Sequence, residues 1–211
     1  DYAEDAESEE DAIEDYPVTL FLSQHGYFKK ITPQSLRMSG EQKFKEDDAL
    51  SMSVESSNAA ELMFFTDKAQ VYKTRASDFA DGKASQLGDY LPAKLGMDEG
   101  ESVMGMVLPG DYSGYMIFFF ENGKAAKVEL SAYKTTSNRR RLTGAYSDKS
   151  PLKALMYLKE DREIAVYSTE PRVLIVNTAL LGVKTTRTTQ GVALLTLKKK
   201  YVLDTVRFPE E

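Results

Sequence analysis

The chain has 211 residues, 42 % of them apolar, and no cysteine. That is enough for one large domain or two small ones, and it excludes disulfides and thiolate zinc sites. The net charge of −6 is unevenly spread: nine of the 33 acidic residues fall within 1–15, where there is no base, leaving 24 acids against 27 bases elsewhere. No apolar run approaches the roughly 20 residues that span a bilayer, so no membrane partner is expected. The chain begins with Asp1 rather than Met, and we expect it to be a piece of a longer protein.

The acidic run ends at about residue 16. Such a run is expected to be a disordered, solvated tail or linker. The alternative is a segment that competes with a polyanion for a basic surface on the body. From Pro17 the hydrophobic period is two, with β-branched and aromatic enrichment. Four strand–turn–strand segments follow, at 18–30, 62–73, 116–128 and 164–176. Asn122-Gly123 is a strong two-residue hairpin signal and His25-Gly26 a weaker one. Lys68-Ala69 and Glu170-Pro171 occupy turn positions by alignment. The turn centres Gly26, Ala69, Gly123 and Pro171 lie 43, 54 and 48 residues apart.

After each hairpin a polar loop ends at a glycine, in turn Gly40, Gly88, Gly144 and Gly191. A strand pair then closes each unit, its last strand at 50–54, 102–108, 154–158 and 203–208. Short helical turns are expected at 35–38, at 76–79 and in the stretch before Arg139. The expected fold is therefore all-β, with blade-type units at about 17–58, 59–113, 114–162 and 163–208. One hairpin cannot bury its apolar face alone, so neighbouring units must complete the core. Phe21, Phe64, Phe65, Phe118, Phe119 and Phe120 are assigned to that core, with an aromatic binding stripe as the alternative.

Catalytic chemistry is absent from the pattern. The single histidine, His25, sits at a hairpin turn. There is no nucleophile elbow, no phosphate-cradling glycine loop and no calcium-loop spacing. No catalytic residue, metal site or cofactor is expected in this chain. Positive charge, by contrast, recurs in or beside each polar loop. Arg37, Lys43 and Lys45 belong to the first unit, and Lys73, Arg75 and Lys83 to the second. Lys134, Arg139, Arg140 and Arg141 belong to the third, and Lys184 and Arg187 to the fourth, followed by Lys198, Lys199 and Lys200. Repetition would set these along one rim, suited to phosphates. Lys and Arg that keep a β-surface soluble and guard its edges are the other reading.

The segment Ser23-Gln24-His25-Gly26-Tyr27-Phe28-Lys29-Lys30-Ile31 resembles the first blade of the C-terminal domain found in the bacterial DNA gyrase and topoisomerase IV A subunits. The stretch 119–128 fits the same template, and Arg187 to Val192 resembles that family's Arg-x-x-x-Gly-Val loop. The likeness covers about residues 17–208. It implies a propeller-like β-pinwheel with strands exchanged between neighbours, open or spiral if four blades are all there are. It also implies duplex DNA bent or wrapped on a basic outer rim, which adds Lys29 and Lys30 to the candidate contacts. The implied partners are the remaining domains of the same polypeptide, together with the ATPase subunit of a type II topoisomerase, in the cytoplasm at the nucleoid. One motif departs from gyrase. Its Gln-Arg-Arg-Gly-Gly-Lys-Gly box corresponds here to 36–42, where only Arg37 and Gly40 match, so bending or substrate selection fits as well as chiral wrapping. A protein-interaction propeller without DNA binding is the competing function, and an enzyme on a propeller a third.

Overall fold

The computed structural model describes residues 12–136 and 139–211. The acidic run up to Asp11 and residues 137–138, at the end of the stretch expected to turn before Arg139, lie outside the described residues. The chain divides into two compact units, Asp1–Met63 with Lys73–Leu108, and Phe64–Tyr72 with Pro109–Glu211.

In the first unit, β1 (Pro17–Ser23) and β2 (Tyr27–Ile31) form a hairpin in the register Thr19↔Ile31 to Leu22↔Phe28. Val18, Leu20 and Leu22 alternate inward along β1, which is the period-two pattern of a half-buried strand. Helix α1 (Pro33–Met38) follows because Thr32 caps it, accepting a hydrogen bond from the Ser35 amide, and Pro33 presets its first turn. Next, β3 (Leu50–Ser57) pairs back along β1. The second hairpin, β4 (Glu61–Thr66) and β5 (Gln70–Arg75), has its tip, 64–72, in the second unit. It leads through a 3-10 turn, Ala76–Asp78, to β6 (Asp89–Tyr90), to helix α2 (Leu91–Lys94), which the sequence did not announce, and to β7 (Val103–Val107). Strand β7 neighbours β4, and the first sheet has the order β3-β1-β2-β6.

The second unit repeats the plan. Strands β8 (Tyr115–Phe120) and β9 (Lys124–Glu129) form its first complete hairpin, followed by a 3-10 turn at Leu130–Tyr133 and by β10 (Arg141–Thr143). Strand β11 (Leu152–Leu158) closes against β8. The last hairpin is β12 (Glu163–Ser168) and β13 (Val173–Asn177), with a 3-10 turn at Thr178–Leu180. The short strands β14 (Val183–Lys184) and β15 (Val192–Ala193) come next, and β16 (Leu203–Arg207) pairs with β12.

All four hairpins and all four closing strands fall where the sequence put them. The expected closing pair resolves differently: one strand closes its own unit and the other is lent backwards. Strand β6 follows the second hairpin but pairs with β2, β10 follows the third but pairs with β5, and β14 and β15 follow the fourth but pair with β9. Phe64, Phe65, Phe118, Phe119 and Phe120 are all buried, so they are core and not a binding stripe, while Phe21 is half-buried. In the second unit Phe65 packs edge-on to Tyr133, with ring centres 5.4 Å apart, and Phe118 lies 5.0 Å from Tyr146.

Candidate nucleic-acid interface

Apart from Lys198, Lys199 and Lys200, which are exposed after β15, the basic residues read from the sequence number fourteen and separate into three groups. The first group is inside. Lys29, Lys30 and Lys73 are all buried, at 5 %, 3 % and 8 % exposure, which removes them from any contact surface. A buried ammonium needs acceptors in place of water. Lys29 Nζ donates to the carbonyls of Lys43 (3.2 Å), Ala84 (3.2 Å) and Gln86 (3.0 Å), and burial lowers its pKa. Lys30 Nζ donates to Asn58 Oδ1 (2.6 Å) and the Ala76 carbonyl (3.1 Å) and pairs with Asp81 at 3.3 Å. Asn58 in turn fixes the end of the acidic run: its Nδ2 donates to the Glu14 carbonyl at 2.7 Å, and its amide to the Tyr16 carbonyl at 3.0 Å.

The second group is committed to structure although its members are partly or wholly exposed. Arg75 Nη1 donates to the Ala59 carbonyl at 3.1 Å. Arg141 Nε donates to Gln70 Oε1 at 2.6 Å, and its guanidinium lies 5.5 Å from the Tyr72 ring centre. Arg187 Nη1 donates to the Ala132 carbonyl at 2.9 Å and Nε to the Gly144 carbonyl at 3.4 Å. Arg187 is thus a staple between the loop after the last hairpin and the loop after the third. Its role was not legible in the sequence, because its acceptors are backbone atoms 43 and 55 residues away.

The third group is presented by those stapled loops. In the second unit Lys134, Arg139, Arg140 and Lys184 are exposed, with the exposed hydroxyl-bearing Thr185, Thr186 and Thr188 on the Arg187 loop. Tyr133 anchors the first of these loops: its hydroxyl donates to the Ala145 carbonyl at 2.6 Å, and burial pushes its pKa far above the usual tyrosine value. In the first unit the loop carrying Lys43 and Lys45 is joined to the one carrying Lys83. The Lys43 amide donates to the Ala84 carbonyl at 2.9 Å, and Lys29 ties the same two segments from below. Lys43, Lys45 and Lys83 are exposed, although Glu46 and Asp47 stand beside Lys45. Arg37 is exposed too, but it lines a cleft of 560 Å³ with Glu14, Tyr16 and Asp81, which dilutes its charge.

Each unit therefore joins two loops through a buried or half-buried cation and leaves lysines and arginines on their outer side. Lys29→Met is expected to lower stability by about 2 kcal/mol, since the carbonyls of Lys43, Ala84 and Gln86 each lose a hydrogen bond, Ala84 alone keeping the one from the Lys43 amide. Hydrogen exchange at the Lys43 amide should speed up in that variant.

A fold of four hairpin sheets that lend short strands backwards defines the class, an all-β repeat domain of the blade-exchanging kind. Comparison with known proteins is specific. A family model described as the DNA gyrase C-terminal domain, beta-propeller, matches residues 60–86 and 183–208. The DNA gyrase A subunit of Mycoplasma pneumoniae is 30 % identical over 133 residues, 59 % of this chain and 16 % of that protein. The DNA topoisomerase 4 A subunit of Staphylococcus epidermidis is 30 % identical over 155 residues, 71 % of this chain and 19 % of that protein. A crystal structure of the C-terminal domain of DNA topoisomerase IV has the same fold, with a TM-score of 0.81 at 20 % identity over 92 % of this chain and 62 % of that one. The chain belongs to the family of C-terminal domains of type IIA topoisomerase A subunits. It spans less than a fifth of the length of the two curated relatives.

Proposed function

We propose that this chain is a non-catalytic domain that binds duplex DNA on its exposed basic loops and bends or wraps it. Its parent would be an ATP-dependent type II topoisomerase, working in the cytoplasm at the nucleoid with its own catalytic domains and an ATPase subunit. Residues 1–16 would be the linker and 17–211 the DNA-binding body. The observation that carries the reading is the grouping of Lys134, Arg139, Arg140 and Lys184 on two loops held side by side by Arg187. Exposed cations on a fixed frame, with threonine hydroxyls between them, suit phosphates and carry no base readout. In the first unit Lys43, Lys45 and Lys83 would act in the same way.

The test is duplex binding by the variant with Lys134, Arg139, Arg140 and Lys184 all changed to Ala. Affinity should fall at least about tenfold at low salt, and the slope of log affinity against log salt should shrink by about three. An unchanged affinity and slope would remove the assignment. Arg141 and Arg187 are left out of the variant because each holds the fold through hydrogen bonds.

A further inference from the structure

Among the described residues every aromatic side chain is buried or half-buried, with one exception. Tyr90, in the lent strand β6, is 46 % exposed. Strand β6 pairs with β2 and sets Tyr90 opposite the half-buried Tyr27. The two rings lie 5.0 Å apart, tilted by 38°. Tyr27 thus covers part of the Tyr90 ring and leaves the remainder open to solvent.

This one open ring stands at the joint of the basic loops of the first unit. Lys45 Nζ lies 5.4 Å from the Tyr27 ring centre. Lys43 is joined to the segment after Lys83 through the Ala84 carbonyl. That segment then passes over the Phe28 carbonyl at Gly88 and reaches Tyr90, beyond which the Leu91 amide donates to the Gly26 carbonyl at 2.9 Å. Glu46, Asp47 and Asp89 dilute the field of the three lysines, so phosphate contacts alone would hold a strand weakly there. An exposed ring supplies a second kind of contact, because every base has a face that can stack on it. A duplex hides those faces between neighbouring base pairs, and a single strand does not.

We infer that Tyr90 is the stacking platform of a site for single-stranded DNA. An unpaired base lies on the open part of its ring, braced from the other side by Tyr27. Lys43, Lys45 and Lys83 meet the phosphates of the same strand. Stacking of this kind tolerates any base, so the site has no sequence preference. It rests on the proposed reading of those three lysines as phosphate contacts, but not on duplex binding.

The experiment titrates the full chain at low salt into a thymidine oligomer of about ten nucleotides with a fluorescent purine analogue at its centre, and separately into a duplex. The analogue should be quenched by the unaltered chain and by Tyr90→Phe, which keeps the ring. Tyr90→Leu keeps apolar bulk against Tyr27 but has no ring. Its affinity for the oligomer should fall at least about fivefold and the quenching should vanish, while its duplex affinity stays as it was. Three results would overturn the inference: no quenching by the unaltered chain, quenching that survives Tyr90→Leu, or an equal fall in oligomer and duplex affinity, which would mean that the ring only holds β6 in place. Oligomer binding with quenching but without duplex binding would remove the proposed function and leave this site standing.

Discussion

Asp161→Ala should destabilise the second unit by about 2–3 kcal/mol, and Lys127→Met by clearly less. Lys127 is buried at the middle of β9, where its Nζ meets Asp161 Oδ1 at 2.7 Å and the Thr178 carbonyl at 3.1 Å. The same carboxylate oxygen accepts from Thr178 Oγ1 at 2.8 Å and from the Tyr115 hydroxyl, whose ring lies 4.1 Å from Nζ. Removing the acid strands a buried ammonium, whereas removing the lysine takes the charge away with it.

The hydrogen bond from Lys127, then that from Tyr115, hold the Asp161 pKa down at about 2, below its ordinary 3.8. Burial and the hydrogen bond to Asp161 push Tyr115 up to about 12. A depressed carboxylate contributes stability above its unfolded pKa and loses it as pH falls through the folded one. The second unit should therefore weaken between about pH 4 and pH 2. The drop is about 1 kcal/mol after discounting for the 37 % exposure of the Asp161 side chain. Asp161→Asn should flatten the profile in that window. Exchange of the β9 amides against pH reads both effects.

The first unit solves the same problem with a smaller stake in its acid. Lys30 has the neutral Asn58 Oδ1 at 2.6 Å, with Asp81 further away at 3.3 Å. Asp81 is also held by the Tyr16 hydroxyl at 2.8 Å. Asp81→Ala should accordingly cost less than Asp161→Ala.

Gly191→Ala should be strongly damaging for the addition of a single methyl group. The backbone there has φ +75°, and an added Cβ would lie 2.0 Å from the Ala125 carbonyl oxygen and 2.8 Å from the Ala126 nitrogen. Those atoms belong to β9, so the clash falls on backbone that cannot rotate away. The expected loss is about 3 kcal/mol or more, with β15 peeled from β9. Gly96 is the control: its φ is +62°, but nothing lies within 4 Å of an added Cβ. Gly96→Ala should cost only the backbone strain, about 1 kcal/mol. Similar losses for the two variants would mean that β15 is not held where it lies.

The repeat was legible because tight turns and buried strands have local chemistry. Gly26 and Gly123 adopt φ +89° and +87°, which their neighbours in sequence already demanded. Gly88 and Gly191 were visible as recurring glycines, and the structure supplies the reason, a close pass over the Phe28 and Ala125 carbonyls. The lent strands were not legible. β6, β14 and β15 are two residues long and β10 three, too short to carry a period. Gly40 has neither a positive φ nor a carbonyl pressed as closely as at Gly88, so it shares the spacing but not the job.

The basic residues were the harder case. Charge in a sequence reads as surface, yet Lys29, Lys30 and Lys73 are inside. A signal was present for two of them: Lys30 and Lys73 both stand four residues after the turn centre, as the buried Lys127 does, whereas Lys29 stands three after it and has no counterpart in the other units. Arg141 and Arg187 had no such signal, because their partners are set by tertiary contacts. What remains outside and away from acidic neighbours in a cleft, Lys43, Lys45 and Lys83 in one unit and Lys134, Arg139, Arg140 and Lys184 in the other, is shorter than the list read from sequence, and Arg37 is exposed only beside Glu14 and Asp81.

The most direct test of a phosphate-binding role is the salt dependence of duplex binding by the unaltered chain. Log affinity should fall linearly with log salt, with a slope between about −3 and −7, for duplexes of unrelated sequence alike. No binding at low salt, or binding indifferent to salt, would contradict it.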